Sequence, residues 1–285
     1  MKRSLFREAF ILFKNNHMVI QPLFIGILVL MFVVMPLSAN MSFMGFIFTL
    51  IIAFLCMTAF LSGWYNCVKT TVSFYGKTYE NPEQRNLNNL EILKSFFPGV
   101  SEYMLPVTVV TGIYIALAYG VFELYRVFAV KLFLANNLPK DFLTVVNNSS
   151  QAEIAEFLKN NFTPEQLETL VLIFAVGILV LFVFHIFVLW FAPAVYYSGK
   201  NPFIAILEAT KFTFKNFTAS ILIVSVMFLL NIVLSVFNIF LDNQYLAFIP
   251  MFLSFLYCMY YVITVFLYYG TKNQDNSVSG PECNG

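Results

Sequence analysis

The sequence predicts an all-α, polytopic transmembrane helical bundle of about six spans. Three observations predict this fold: 60% of the 285 residues are hydrophobic, only 11% are charged, and long apolar runs recur along the chain. A soluble domain carries roughly 25% charged residues. Continuous apolar runs of about 20 residues indicate helices, because the strands of a membrane barrel alternate apolar and polar residues. Most side chains are therefore expected to face lipid.

Six segments are apolar enough to cross a bilayer, which requires about 20 predominantly apolar residues for each helix. They cover residues 18–38, 43–66, 104–128, 169–192, 217–241 and 246–269. The first segment follows a basic N-terminal stretch, as the apolar part of a secretory signal does. Its apolar run, however, is longer than the roughly 7–15 residues of a signal peptide. We therefore expect an uncleaved first span.

Lysine and arginine are concentrated in alternate connections between the predicted spans. The N-terminal segment, the connections after spans two and four, and the C-terminal tail hold most of them. Cytoplasmic connections carry an excess of Lys and Arg, so this pattern predicts a multi-pass protein with both termini in the cytoplasm. The basic residues on the predicted cytoplasmic side are Lys2, Arg3, Arg7, Lys14, Lys69, Lys77, Arg85, Lys94, Lys200, Lys211, Lys215 and Lys272.

The predicted organisation is a single transmembrane domain over residues 1–270, followed by a disordered cytoplasmic tail over residues 271–285. The long connection between spans three and four, residues 129–168, is expected on the outside. Within it, Ser150 is of a residue type favoured at helix N-caps, and Pro164 is of the type favoured in a first helical turn. We therefore predict a small helical hairpin in this connection.

Short amphipathic segments precede spans one, three and five, at residues 4–15, 90–97 and 202–216. The first and third both contain Glu-Ala followed by Phe-Lys-Asn. Such short segments, with Phe and Leu on one side and Lys on the other, are typical of helices that lie in the membrane interface. They predict three copies of one unit, an interfacial helix followed by a transmembrane hairpin. The alternative is that any connection entering a span is aromatic and basic.

The third amphipathic segment carries a family resemblance. Ala205, Ile206 and Ala209, followed by the Phe-Lys-Asn-Phe run at 214–217, resemble a helix found just before a span in bacterial membrane proteins. These are the YciC-like proteins and the membrane domain attached to some glycerophosphodiester phosphodiesterases. This chain differs in its long external connection and has no phosphodiesterase domain. The resemblance implies an inner-membrane location and no settled activity.

Polar residues inside spans are costly and therefore are candidate functional groups. His185, near the middle of span four, could relay protons or bind a ligand, but a hydrogen bond to a neighbouring helix is favoured. Glu123 and Arg126 are three residues apart at the outer end of span three. They could line an external vestibule, but a local ion pair is favoured.

Two polar stripes lie along single helical faces. Asn231, Ser235 and Asn238 recur at i, i+4 and i+7 in span five, and Ser62 and Asn66 form a shorter stripe in span two. Such groups could line a substrate path. More commonly they hold membrane helices together through hydrogen bonds. Packing is favoured here because no intramembrane carboxylate accompanies them.

The motifs that carry common enzyme chemistry are not present in the sequence. There is no GxxxxGK[ST], HExxH or GxSxG pattern, and the four cysteines form no CxxC pair. The chain is therefore expected to be non-enzymatic and to use no cofactor or metal. The net charge of +1 gives no field that would attract nucleic acid.

Two functions follow as hypotheses. The first is an inner-membrane protein that acts in envelope homeostasis or as a membrane scaffold. Its expected partners are membrane lipids and other membrane proteins or a second copy of the chain. The alternative is a transporter or permease subunit for a small or lipidic solute, with the stripe in span five and His185 lining the path.

Overall fold

The computed structural model describes residues 5–26, 29, 43–77, 82–149, 151–199, 201–240 and 248–278. Within these ranges all regular secondary structure is helical, which confirms the predicted all-α fold. The helices are α1 (Leu5–Asn15), α2 (His17–Gly26), α3 (Phe43–Ser73), α4 (Pro82–Lys94), α5 (Phe96–Ala135), α6 (Phe142–Asn148), α7 (Gln151–Asn161), α8 (Pro164–Val188), α9 (Phe191–Tyr197), α10 (Pro202–Lys215), α11 (Phe217–Phe240) and α12 (Phe248–Val278).

Five helical stretches of the described chain are long and apolar enough to cross a membrane. They are Met44–Ser73, Glu83–Ala135, Pro164–Tyr197, Phe217–Val236 and Phe252–Asn273. These stretches correspond to predicted spans two to six, so the chain is a helical membrane protein. Of the first predicted span, residues 18–38, the structure describes only residues 18–26 and residue 29.

The spanning helices α3 and α5 extend beyond the predicted bounds of their spans. The helix α3 continues past the predicted end of its span at residue 66 to Ser73, and α5 starts at Phe96 and not at residue 104. The hydroxyl groups of Thr70 and Thr71 each donate to the backbone carbonyl four residues earlier, at 3.0 and 2.9 Å. Side chains that bond back in this way need no other partner. The polar end of α3 therefore remains helical.

The three predicted amphipathic segments form the short helices α1, α4 and α10, and a one-residue joint connects each to the next helix. The joint residues are Asn16, Ser95 and Asn216, and each side chain bonds back to a carbonyl of the preceding turn. The corresponding backbone bonds run from Asn16 to Leu12 (3.1 Å), from Ser95 to Glu91 (3.0 Å) and from Asn216 to Phe212 (2.9 Å). The same arrangement of a short helix, a one-residue joint and a following helix thus occurs three times in the described residues.

This geometry corrects two details of the predicted repeat. The middle copy was predicted at residues 90–97, but Ser95 ends it and Phe96 already belongs to α5. When the first and third copies are aligned at their joints, the Phe-Lys-Asn runs at 13–15 and 214–216 are out of register by one residue. Glu-Ala at 8–9 corresponds to Glu-Ala at 208–209, and the residue equivalent to Asn216 is Asn16. The hydrogen bonds at the joints determine this alignment, and a comparison of residue types alone does not include them.

The described chain divides into two compact units, and the first comprises residues 1–112 and 187–285. Its central helix is α12, which contacts α1, α3, α9 and α11. The hydroxyl of Tyr260 on α12 donates to the carbonyl of Phe6 on α1 at 3.1 Å. Trp64 and Trp190 are buried, and their indole N–H groups donate to the carbonyl of Val19 (3.1 Å) and to the hydroxyl of Ser220 (2.9 Å). Both bonds fix the first turns of helices that follow a joint.

The second unit, Ile113–Ile186, contains the predicted external connection. Part of that connection continues α5 to Ala135, and the rest forms α6, α7 and the start of α8. The helices enclose a small apolar core made of Leu138, Phe142, Phe162, Leu170 and Ile173. The helices expected in this connection are therefore present as α7 and the start of α8, although Ser150, the predicted N-cap of the first, lies outside the described residues, and their pairing as a hairpin stays a prediction.

The helix ends in the second unit follow local rules. Asn137 has a φ of 49° after α5, and the N–H groups of Asn137 and Leu138 donate to the carbonyls of Leu134 and Phe133. This is the Schellman pattern, in which Asn is one of the few residues that accept a left-handed backbone. α8 begins at Pro164 as predicted. Before it, Thr163 and Gln166 exchange backbone-to-side-chain hydrogen bonds of 3.0 and 3.3 Å, as in a capping box.

The C-terminal helix extends into the predicted tail. α12 continues to Val278, so the first part of residues 271–285 is helical, and the remainder lies outside the described residues. The single transmembrane domain over residues 1–270 stays a prediction.

Candidate functional site

The candidate site centres on Lys69, near the C-terminal end of α3. Its Nζ donates to the Tyr103 hydroxyl at 3.4 Å and lies 5.5 Å from the centroid of the Tyr103 ring. The centroid of Tyr197 lies 5.8 Å away. Aromatic faces attract a cation through their quadrupole. In the described part of the chain, no carboxylate forms an ion pair with Lys69.

Three helices provide the surroundings of this amine. Tyr103 comes from α5, and Tyr196 and Tyr197 come from α9, which packs against α3. The rings of Tyr103 and Tyr196 are 4.3 Å apart between centroids. The Tyr196 hydroxyl donates to the carbonyl of Ser62 at 2.7 Å, so this ring is fixed to α3. We call Lys69, Tyr103, Tyr196 and Tyr197 the Lys69 site.

Gly270 of α12 lets the ring of Tyr197 pack close to that helix. A Cβ at Gly270 would lie 2.8 Å from the Tyr197 hydroxyl oxygen, so the ring can approach α12 only where the side chain is missing. The next residue, Ser198, shares a hydrogen bond of 3.2 Å with the hydroxyl of Tyr269 on α12. The end of α9 is thereby held against α12, with Tyr197 between them.

The Lys69 site is rich in hydrogen-bond donors. An ammonium group has three N–H donors and no acceptor, and each tyrosine adds one O–H. One donor of Lys69 is used on Tyr103, and the O–H of Tyr196 is used on Ser62. The remaining groups could donate to an anion.

The short stripe predicted in span two takes part in packing. Ser62 accepts the bond from Tyr196 on its carbonyl, while its own hydroxyl donates to the carbonyl of Ala59 at 2.6 Å. The amide of Asn66 donates to the carbonyl of Ser95, the joint residue before α5, at 2.8 Å. Both residues thus hold α3 against its neighbours.

His185 is half-buried and belongs to the second unit, whereas the stripe in span five belongs to the first. Next to it, the ring of Phe184 packs against Tyr114 with centroids 5.5 Å apart. His185 remains a candidate residue, and its role stays a prediction.

The stripe in span five lies on α11. Asn231 and Ser235 are exposed, and the Ser235 hydroxyl donates to the carbonyl of Asn231 at 2.9 Å. This bond lies within α11, so the hydroxyl needs no other helix as its partner. Asn238 is in the same helix, but its side chain lies outside the described residues. Both interpretations of the stripe, path and packing, stay predictions.

Glu123 and Arg126 meet in a local ion pair on α5. The Nε and one terminal nitrogen of Arg126 both lie 2.8 Å from the same carboxylate oxygen of Glu123. The Arg126 side chain is 58% exposed. The two side chains therefore form the local ion pair that their i, i+3 spacing favours.

The sequence contained a signal for Lys69 that the predicted span boundary concealed. Ser62, Asn66 and Lys69 follow the same i, i+4, i+7 spacing as the stripe in span five. Because span two was predicted to end at residue 66, Lys69 counted only as a cytoplasmic charge. The tyrosines at 103, 196 and 197 had no comparable signal, since only the fold brings them together.

No family model, curated protein or solved structure matches this chain. The resemblance to the YciC-like proteins therefore stays a prediction.

Proposed function

We propose that this chain is a non-enzymatic, multi-pass protein of the cell inner membrane that acts in envelope homeostasis. With both termini in the cytoplasm, α1, α4 and α10 lie along the inner leaflet. There they bind anionic lipids and form a scaffold for membrane-protein partners. The observation that carries this proposal is that each of these three short helices exposes large apolar side chains, which form an apolar face on α10.

The face is clearest on α10. Ala205, Ala209, Phe212 and Thr213 are buried against the protein. On another side of the helix, Phe203 is 64% exposed and Leu207 is 61% exposed. Lipid, unlike water, is a favourable environment for such a face on an amphipathic helix, and Lys residues beside it can reach the headgroups.

The other two short helices also expose large apolar side chains. On α1, Ala9 and Leu12 are buried, while Phe10 is exposed. On α4, Leu87 and Leu90 are exposed. Basic residues accompany each helix, and basic side chains near an anionic leaflet contribute about 1 kcal/mol each. Three such helices give the protein a large contact with one leaflet, as a lipid-binding scaffold requires.

Disruption of the gene in its own host tests the proposal. We expect the disrupted cells to become sensitive to detergent and osmotic stress, and a plasmid copy of the wild-type chain to restore resistance. Leu207→Glu should fail to restore it at equal membrane abundance, because a carboxylate on this face opposes contact with anionic lipid. Leu207→Met keeps the face apolar and serves as the control. Unchanged resistance in the disrupted cells, or full restoration by Leu207→Glu, would contradict the proposal.

A further inference from the structure

We propose that the Lys69 site binds a phosphate group, supplied either by an anionic lipid headgroup of the inner leaflet or by free phosphate. This inference rests on the proposed function, which orients the C-terminal end of α3 towards the cytoplasm. It adds a defined binding site to the lipid contact of α1, α4 and α10.

The charge of Lys69 is the first argument. The side chain is half-buried, yet no described carboxylate pairs with it. Removing an ammonium group from water is costly unless an opposite charge compensates. The rings of Tyr103 and Tyr197 attract the cation but carry no net charge. An anion would complete the site.

The unused donors are the second argument. Lys69 has two N–H groups that are not bonded to Tyr103, and the Tyr103 hydroxyl accepts from Lys69 while keeping its own proton. In the described part of the chain, the Tyr197 hydroxyl has no hydrogen-bond partner. A group of donors around one positive charge suits phosphate, whose unprotonated oxygens only accept, and lysine binds phosphate as a point charge.

A second lysine shows what is particular about this site. Lys77 also lies over an aromatic ring, with its Nζ 4.7 Å from the centroid of Phe74. That lysine is exposed, and a phenylalanine supplies no hydroxyl. The two residues share the same charge, the same kind of ring contact and the same predicted side of the membrane. Lys77 is therefore a matched control for Lys69.

The test uses the full-length chain, purified in mild detergent and titrated with phosphatidylglycerol or phosphatidylcholine under native mass spectrometry. We expect the wild type to prefer phosphatidylglycerol, and Lys69→Met to weaken that binding about tenfold, as loss of a charged hydrogen bond does. Tyr197→Phe should weaken it about fivefold, because one neutral donor is lost. Lys77→Met should stay within about twofold, as exposed charges contribute little.

A competition experiment identifies the source of the phosphate, and a second variant keeps the test valid if the first does not fold. Competition by millimolar inorganic phosphate would assign the site to the free anion, and its absence would assign the site to the lipid headgroup. Tyr197→Phe keeps both the ring and the lysine, so it carries the test if Lys69→Met fails to fold.

Wild-type binding by Lys69→Met or by Tyr197→Phe would overturn the inference. If this occurs while the Leu207→Glu defect persists in cells, only the phosphate site is wrong, whereas equal binding of both lipids by the wild type would also contradict the anionic-lipid binding proposed for α1, α4 and α10. If disruption of the gene leaves the envelope unaffected, the proposed function is wrong whatever the binding data show.

Discussion

Gly99 shows how one missing side chain determines the packing of two spanning helices. It is buried at the start of α5, and a Cβ at this position would lie 2.5 Å from the Cβ of Asn66 and 2.9 Å from the carbonyl oxygen of Ser62. The backbone of Gly63 would be 3.1 Å away. Small residues let membrane helices approach closely, where van der Waals contacts and interhelical hydrogen bonds stabilise them. Here the approach also allows Asn66 to bond to the carbonyl of Ser95.

We predict that Gly99→Ala destabilises the protein by about 1–3 kcal/mol, the usual cost of adding atoms to a tightly packed region. The obstacle includes backbone atoms of α3, so no side-chain rotation can relieve it. Gly112→Ala is the matched control in the same helix, because a Cβ there meets nothing within 4 Å. Thermal unfolding of the full chain in detergent measures both. Equal melting temperatures for the two variants would contradict this account of Gly99.

At the scale of elements, the joints between the short helices α1, α4 and α10 and the helices that follow them recur three times in the described residues. The chain turns at a polar residue whose side chain satisfies a carbonyl of the preceding turn. At the third joint, the side-chain nitrogen of Asn216 donates to the carbonyl of Phe212 at 3.1 Å, and its side-chain oxygen accepts from Tyr268 at 3.2 Å. Ser95 performs the first of these roles at the second joint with a hydroxyl group. The joint therefore requires a short hydrogen-bonding side chain rather than asparagine specifically.

We predict that Asn216→Leu destabilises the protein by about 1–3 kcal/mol, because the Phe212 carbonyl and the Tyr268 hydroxyl both lose a partner. Asn216→Ser should recover at least half of that loss, as the second joint implies. Hydrogen exchange of α10 and the first turns of α11 measures the local effect. Faster exchange in Asn216→Ser than in Asn216→Leu would show that the joint does not act through this bond.

The sequence predicted the elements better than their ends. The apolar runs located the five described spans, and Pro164 marked the start of α8 correctly. The end of α3 was placed too early, because hydropathy does not register hydroxyl groups that bond back into their own helix, as Thr71 does. The Lys69 site was missed for a related reason. Its tyrosines are far apart in the chain, and only the packing of α9 against α3 and α12 brings them together.

For the whole molecule, burial separates helices that face protein from helices that face lipid. In the most apolar 18-residue stretch of α12, 39% of the residues are buried, whereas the corresponding fraction is 11–22% in the other four spanning stretches. α12 is accordingly the central helix of the first unit, and the others expose most of their apolar surface. Hydrocarbon around the molecule makes this exposure favourable, since it replaces the water that an apolar surface avoids.

The predicted orientation of the chain leads to the last prediction. Lys77 and Lys159 are both exposed lysines, but the first lies in a connection rich in basic residues and the second lies on α7 in the second unit. Because basic connections are retained on the cytoplasmic side, these two positions should face opposite sides of the membrane. Each is replaced by cysteine in a chain whose native cysteines are alanine, and cells are treated with a membrane-impermeant maleimide. We expect Lys159→Cys to be labelled in intact cells and Lys77→Cys only after the membrane is opened. A permeant maleimide, which should label both, is the control for reactivity, and labelling of both variants from the same side would contradict the orientation.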